Sequence, residues 1–138
     1  PEYLKTQVAP PTFDMSTVKG EHKYLEPTLI YRLQSIDIDL LKIKNKLREM
    51  TDNPNFGPMF MGDYILLRRE LYMDLGLNVA QLSENVRDEL RIDADHGWKP
   101  KEILLKSKAD ITRIKSRAAF NKMVRKAERK MRSTQQTF

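Results

Sequence analysis

The chain has 138 residues, no cysteine, 40% hydrophobic and 32% charged residues, and a formal net charge of +6. This length allows one domain at most, and the composition is too apolar for a fully disordered chain. The lack of cysteine excludes disulfides, thiolate metal ligands and cysteine nucleophiles. No apolar run approaches the ~20 residues needed to cross a bilayer, and the amino terminus lacks the apolar core of a secretory signal.

The charge is divided unevenly along the chain. Residues 99–138 hold 13 Lys or Arg against 3 Asp or Glu, a net charge of +10, whereas residues 1–98 hold 12 against 16, a net charge of −4. This asymmetry predicts one end that meets a polyanion and another that meets protein. We therefore divide the chain into an extended arm (1–26), a helical region of three helices (27–98) and a basic helix with its tail (99–138).

Residues 1–26 are predicted to be an extended arm, because Pro10 and Pro11 disfavour helix and no helical period appears. Large apolar side chains are frequent in it: Tyr3, Leu4, Val8, Phe13, Met15, Val18, Tyr24 and Leu25. This content favours an arm that lies along a partner's surface over a disordered terminus. The start at Pro1 fits methionine removal, removal of a targeting peptide or a truncated chain, and organellar processing is one expectation.

The first helix is predicted from Pro27, which suits a first helical turn, to Met50. Apolar residues recur along it at alternating spacings of four and three: Leu29, Leu33, Ile36, Leu40, Ile43, Leu47 and Met50. This narrow stripe, which follows a helix of about 36 Å, predicts coiled-coil-like packing. The pattern does not say whether the partner helix is internal or foreign. We assign the seven residues to a protein interface.

Turn-forming residues 52–58 end that helix. A second helix is predicted from an N-cap at Asp63 to Leu75, with Gly76 as its C-terminal stop. A third is predicted from Asn78 to Leu90, because Gln81 follows Asn78 at capping-box spacing. Residues 93–100 form the next break.

The last predicted helix runs from about Lys101 to Arg132, and its apolar face changes side. Leu104, Ile111, Ile114 and Ala118 share one side, whereas Phe120, Met123, Val124, Ala127 and Met131 lie roughly opposite. A helix buried against one surface would keep its stripe in place. We therefore expect either a bend near Ala118 and Ala119 or two halves that touch different neighbours. The predicted fold class is all-α, with about four helices, and not a compact self-contained globule.

No motif supports catalysis, a cofactor or a metal. Asp93, Asp95 and Gly97 do not complete a calcium loop. The two histidines, His22 and His96, are too few for a zinc site without cysteine. The segment Gly57–Gly62 has the glycine spacing of a phosphate loop but lacks the Lys-Ser/Thr pair that should follow. We predict no catalytic, cofactor or metal residues and no small-molecule substrate.

The basic helix gives the clearest functional indication. Its cations have few carboxylates of the same helix to pair with, so a polyanionic partner would relieve their repulsion. The predicted polyanion-binding residues are Lys106, Lys108, Arg113, Lys115, Arg117, Lys122, Arg125, Lys126, Arg129, Lys130 and Arg132. Aromatic residues able to stack on bases are scarce, which argues against sequence-specific recognition of single strands.

These features together favour a non-enzymatic adaptor that binds protein subunits through its apolar surfaces and RNA phosphates through its basic helix. Peripheral proteins of ribosomes have a similar organisation, with surfaces for both protein and RNA, and this is especially so for additions to the mitochondrial ribosome. A mitochondrial location is therefore expected. The alternative is an accessory subunit of a mitochondrial respiratory or ATP-synthase-like complex, whose basic helix would face anionic lipid or an acidic subunit. A coiled-coil homodimer acting alone is a third hypothesis.

Overall fold

A computed structural model of the chain describes residues 12–14, 16, 24–93 and 99–135, with side chains after residue 130 described at Arg132 only. Most of the arm lies outside these residues, including the apolar side chains of Tyr3, Leu4, Val8, Met15 and Val18, and so do His22, Asp95, His96, Gly97 and the side chain of Met131.

The described residues form three α-helices and contain no strand, which confirms the all-α class. Helix α1 spans Pro27–Thr51, α2 spans Met61–Leu90 and α3 spans Pro100–Gln135, with a short 3-10 helix at Pro58–Phe60 before α2. Helix α2 is central, since α1 packs on it and α3 packs on it as well. None of the helices in the described ranges is long and apolar enough to cross a membrane.

Helix α2 runs without a break through Gly76, so the prediction of two helices in this region was wrong. The described residues form three α-helices, and the predicted total of about four is not confirmed. Neither Gly76 as a stop nor Asn78 as a helix start is observed. A glycine inside a helix costs about 1 kcal/mol relative to alanine, but packing on two sides of α2 outweighs that cost. The glycine has a packing role, because a Cβ atom at position 76 would lie 3.1 Å from Leu104 Cδ1 of α3.

The apolar stripe of α1 faces α2 of the same chain. Leu29, Ile36, Ile43 and Leu47 are buried, and Leu33, Leu40 and Met50 are half-buried. Leu29 and Ile36 form a core with Leu82 of α2. The stripe therefore packs on α2 of the same chain, which is the internal one of the two alternatives that the pattern left open.

One described residue of the arm joins this core. Phe13 is half-buried and packs against the cluster of Leu29, Ile36 and Leu82. The end of the arm is also tied to α2, since the backbone N–H of Glu26 donates to Glu89 Oε1 at 2.5 Å. By contrast, Tyr24 is 70% exposed. Phe13 and Glu26 of the arm therefore contact helices α1 and α2 of the same chain.

Helix α2 ends in a Schellman motif. The N–H of Ile92 donates to the Arg87 carbonyl at 2.9 Å, and that of Arg91 donates to the Asp88 carbonyl at 3.2 Å. This arrangement holds Arg91 in the left-handed conformation, with φ 54° and ψ 40°, which non-glycine residues adopt at a cost.

We expect Arg91→Gly to raise the free energy of unfolding by about 0.5–1 kcal/mol, because glycine adopts this conformation without steric cost. Urea unfolding followed by circular dichroism measures the change. The control is Leu90→Gly, one residue earlier in the right-handed helix, which should lower stability by about 0.5–1 kcal/mol. Equal effects of the two substitutions would contradict the explanation.

Candidate nucleic-acid interface

The two halves of α3 have different surroundings. Ile111 is the most buried residue of the described chain, at 2% exposure, and Leu104 is half-buried beside Gly76. From residue 112 to residue 130, every side chain of α3 is exposed. The first half is therefore packed on α2, and the second half has no covering surface among the described residues.

The packed half carries lysines that pair with carboxylates of α2. Lys101 Nζ lies 2.9 Å from Glu84 Oε2, Lys108 Nζ lies 3.7 Å from Asp74 Oδ1, and Lys115 Nζ lies 2.5 Å from Glu70 Oε1. We call these three pairs the ion-pair ladder. The lysines are seven residues apart, which places them on one side of α3, and their order against α2 makes the two helices antiparallel.

The ion-pair ladder orients α3 more than it stabilises it. All of its side chains are 31–56% exposed, and an ion pair in such a setting contributes about 0–1 kcal/mol. Its second effect is electrostatic, because two of the predicted polyanion-binding residues, Lys108 and Lys115, already have an anionic partner. Arg113 is likewise 3.1 Å from Asp110 Oδ1 on its own helix.

The remaining cations are concentrated toward the end of α3. In the part of the chain that the structure describes, seven of the predicted residues have no ion pair: Lys106, Arg117, Lys122, Arg125, Lys126, Arg129 and Arg132. Five of the seven lie between residues 122 and 132. The structure thus splits the predicted polyanion site and leaves the last turns of α3 as its accessible part.

The last turns of α3 also expose an apolar stripe. Phe120 is 63% exposed, Met123 69% and Val124 39%, and Ala127 continues the same side. This agrees with the predicted change of apolar face along α3. The helix continues without a break through Ala118 and Ala119. Its first half packs on α2, and contact of the second half with a different neighbour stays a prediction.

The apolar stripe and the cations of these turns lie on opposite sides. At about 100° per residue, Lys122, Arg125, Lys126 and Arg129 lie about 140–240° around the axis from Phe120. We call these four residues the cationic face. Such a helix can contact an apolar surface and a polyanion at the same time, one on each side.

A cleft of about 680 Å³ lies between the end of α2 and the start of α3. Its walls are formed by Val79, Ala80, Ile103 and Leu104, with the Lys101–Glu84 pair among its lining residues. These two charges neutralise each other. The cleft is a seam between two packed helices, and two more of its lining side chains, Lys99 and Glu102, pair at 3.2 Å.

The other sequence candidates are placed as follows. Gly57 and Gly62 flank the 3-10 helix that leads into α2, and both face open space. Within the described ranges, no group of three or more His, Asp or Glu side chains could hold a metal ion. The sequence matches no protein-family model, and comparisons with curated proteins and with solved structures also find no match.

Two features of the surface were not predicted from the sequence. One is the pairing of α3 with carboxylates of α2, for which the seven-residue spacing of Lys101, Lys108 and Lys115 was a signal. The other is the face of α1 that points away from α2. Three large apolar residues of that face are exposed: Tyr31, Ile38 and Leu41.

Proposed function

We propose that the chain is a non-catalytic structural subunit of a ribonucleoprotein, in which the end of α3 bridges a protein surface and RNA phosphates. The mitochondrial ribosome is the first assembly to test, with a mitochondrial location. The observation that carries the proposal is the exposed half of α3, whose cationic face and apolar stripe lie on opposite sides of one helix.

The physical reason is the instability of this half in water alone. Most helical stability in proteins comes from tertiary packing, and every side chain from residue 116 to residue 130 is exposed. Lys122 and Lys126 are also four residues apart, as are Arg125 and Arg129, and like charges at that spacing destabilise a helix. Phosphates against the cationic face would remove this repulsion and release counterions.

The alternative is an accessory subunit of a respiratory or ATP-synthase-like membrane complex. A helix that lies in a bilayer surface carries its lysines and arginines where they can reach the headgroups beside the apolar face. Arg129 lies about 180° from Phe120 at about 100° per residue, and so points away from any surface that the apolar stripe enters. This geometry favours a bridge between two partners over an interfacial helix.

We expect the full-length protein to bind duplex RNA with a steep dependence on salt. Four phosphate contacts predict a slope of log K against log [salt] of about −3.6, which corresponds to an affinity loss of about 150-fold between 50 and 200 mM salt. Fluorescence anisotropy with a labelled duplex measures the slope. Replacing the four residues of the cationic face with glutamine should bring it close to zero.

The matched control replaces Lys101, Lys108 and Lys115 with glutamine. These lysines are also on α3 but are neutralised in the ion-pair ladder, so the slope should change by less than about one unit. If the control lowers the slope as much as the first variant, the accessible end of α3 is not the phosphate site. Cosedimentation with ribosomes, as opposed to detergent-solubilised membrane complexes, then separates the two assemblies.

A further inference from the structure

The outer face of α1 carries a second apolar seam. Tyr31 is 72% exposed, Ile38 55% and Leu41 56%. At about 100° per residue, the buried residues Ile36 and Leu29 lie about 140–160° around the axis from Tyr31. The seam therefore points away from α2, and exposed apolar groups at this spacing indicate a docking surface for another helix.

The seam has the heptad positions of a coiled coil. Tyr31, Ile38 and Asn45 are seven residues apart and occupy one seam position, and Gln34, Leu41 and Arg48 occupy the other, three residues on. The residues in the middle of the seam are apolar, the next are amides and the outermost are Tyr31 and Arg48. All six side chains are exposed.

We propose that the partner of this seam is α1 of a second copy of the chain, in antiparallel orientation. A two-fold axis between Ile38 and Leu41 would place each seam residue opposite a complementary one. Ile38 would meet Leu41 of the other copy, Gln34 would meet Asn45, and Tyr31 would meet Arg48. These are, in order, an apolar contact, a pair of hydrogen-bonding amides and a cation–π contact.

The charges beside the seam fit the same arrangement. In an antiparallel pair the residues that flank the seam on one side face each other, so Asp37 of one copy would lie opposite Lys44 of the other. Both side chains are exposed, and neither has an ion pair among the described residues. The two-fold axis makes this pair occur twice. Lys42 already pairs with Asp39 of its own helix at 3.0 Å, so the contact between copies does not depend on it.

A parallel dimer fits less well. It would place each seam residue opposite its own copy, so the two Arg48 guanidinium groups would repel each other. The antiparallel arrangement replaces that repulsion with the Tyr31 contact. It also gives an apolar centre with a polar rim, which is the usual anatomy of an interface, and it makes the contact isologous.

The first test is the mass of the purified full-length protein in sedimentation velocity. Concentrations from about 1 to 200 µM are needed, because a seam of this size is at the small end of stable interfaces and predicts weak association. We expect a monomer–dimer equilibrium that Ile38→Glu weakens at least tenfold. Ile103→Glu is the matched control, since Ile103 is a 62% exposed isoleucine of α3, and it should leave the equilibrium unchanged. A wild-type monomer throughout the range would overturn the proposal.

The second test uses the absence of cysteine from the chain. In the antiparallel dimer, Gln34→Cys combined with Asn45→Cys should form a disulfide between copies on mild oxidation, and each single variant should not. Two copies of residue 45 would be about 16 Å apart along the axis at 1.5 Å per residue, too far for a disulfide. Efficient cross-linking of the single variants would show a parallel pair and contradict the antiparallel arrangement.

Discussion

Replacing Ile111 with alanine is expected to lower the free energy of unfolding by about 2–4 kcal/mol. Ile111 is 2% exposed, the lowest value in the described chain, and its burial fixes α3 to α2. Truncating a buried isoleucine removes apolar contacts and leaves a cavity that the surroundings fill only in part. Urea unfolding followed by circular dichroism at 222 nm, where helix content is read, measures the loss.

Ile114→Ala is the matched control for this prediction. Ile114 is the same residue type, three positions further along α3, and it is 44% exposed. Its truncation should change stability by no more than about 0.5 kcal/mol, as for most surface positions. If the two variants lost equal stability, α3 would not pack on α2 through Ile111.

Gly76→Leu is expected to cost about 1–3 kcal/mol, because a large side chain at this position would occupy the space of Leu104. A Cβ atom alone would lie 3.1 Å from Leu104 Cδ1 and 3.3 Å from Leu104 Cδ2. The smaller change Gly76→Ala should be near neutral. The end of the Leu104 side chain can yield by a few tenths of an ångström, and alanine gains about 1 kcal/mol of helix propensity over glycine.

The decisive measurement for Gly76 is a double-mutant cycle with Leu104→Ala. Removing the Leu104 side chain makes room for the new leucine, so the double variant should be more stable than the sum of the single effects predicts, by at least about 1 kcal/mol. Strict additivity of the two substitutions would mean that the helices do not meet at this point.

Gly76 also shows why the sequence alone predicted two helices where α2 is continuous. Within the sequence, Gly76 followed by Asn78 has the composition of a helix end and a new helix start. The cost of glycine in a helix is a local quantity of about 1 kcal/mol. Burial of Met73, Ala80 and Leu82 stabilises α2 along its whole length. No local sequence pattern indicates that Leu104 of α3 will pack against Gly76.

The charges of α3 show a similar limit. The excess of cations could be counted in the sequence, and it predicted a polyanion site over the length of the helix. Which cations are available depends on where Glu70, Asp74 and Glu84 lie, and those residues are 17 to 45 positions away in the chain. Tertiary packing therefore gives Lys108 and Lys115 anionic partners on α2, whereas the four residues of the cationic face have no ion pair among the described residues.

The sequence by itself determined the all-α class, the bounds of α1 to within one residue and the change of apolar face along α3, because helical periodicity and proline or turn residues are local signals. Only the tertiary structure decided that α2 is continuous, that it covers the inner stripe of α1, and that Tyr31, Ile38 and Leu41 stay exposed. These outcomes depend on which apolar faces meet. A sequence shows that a face is apolar, but the partner that buries it is chosen by packing between residues far apart in the chain.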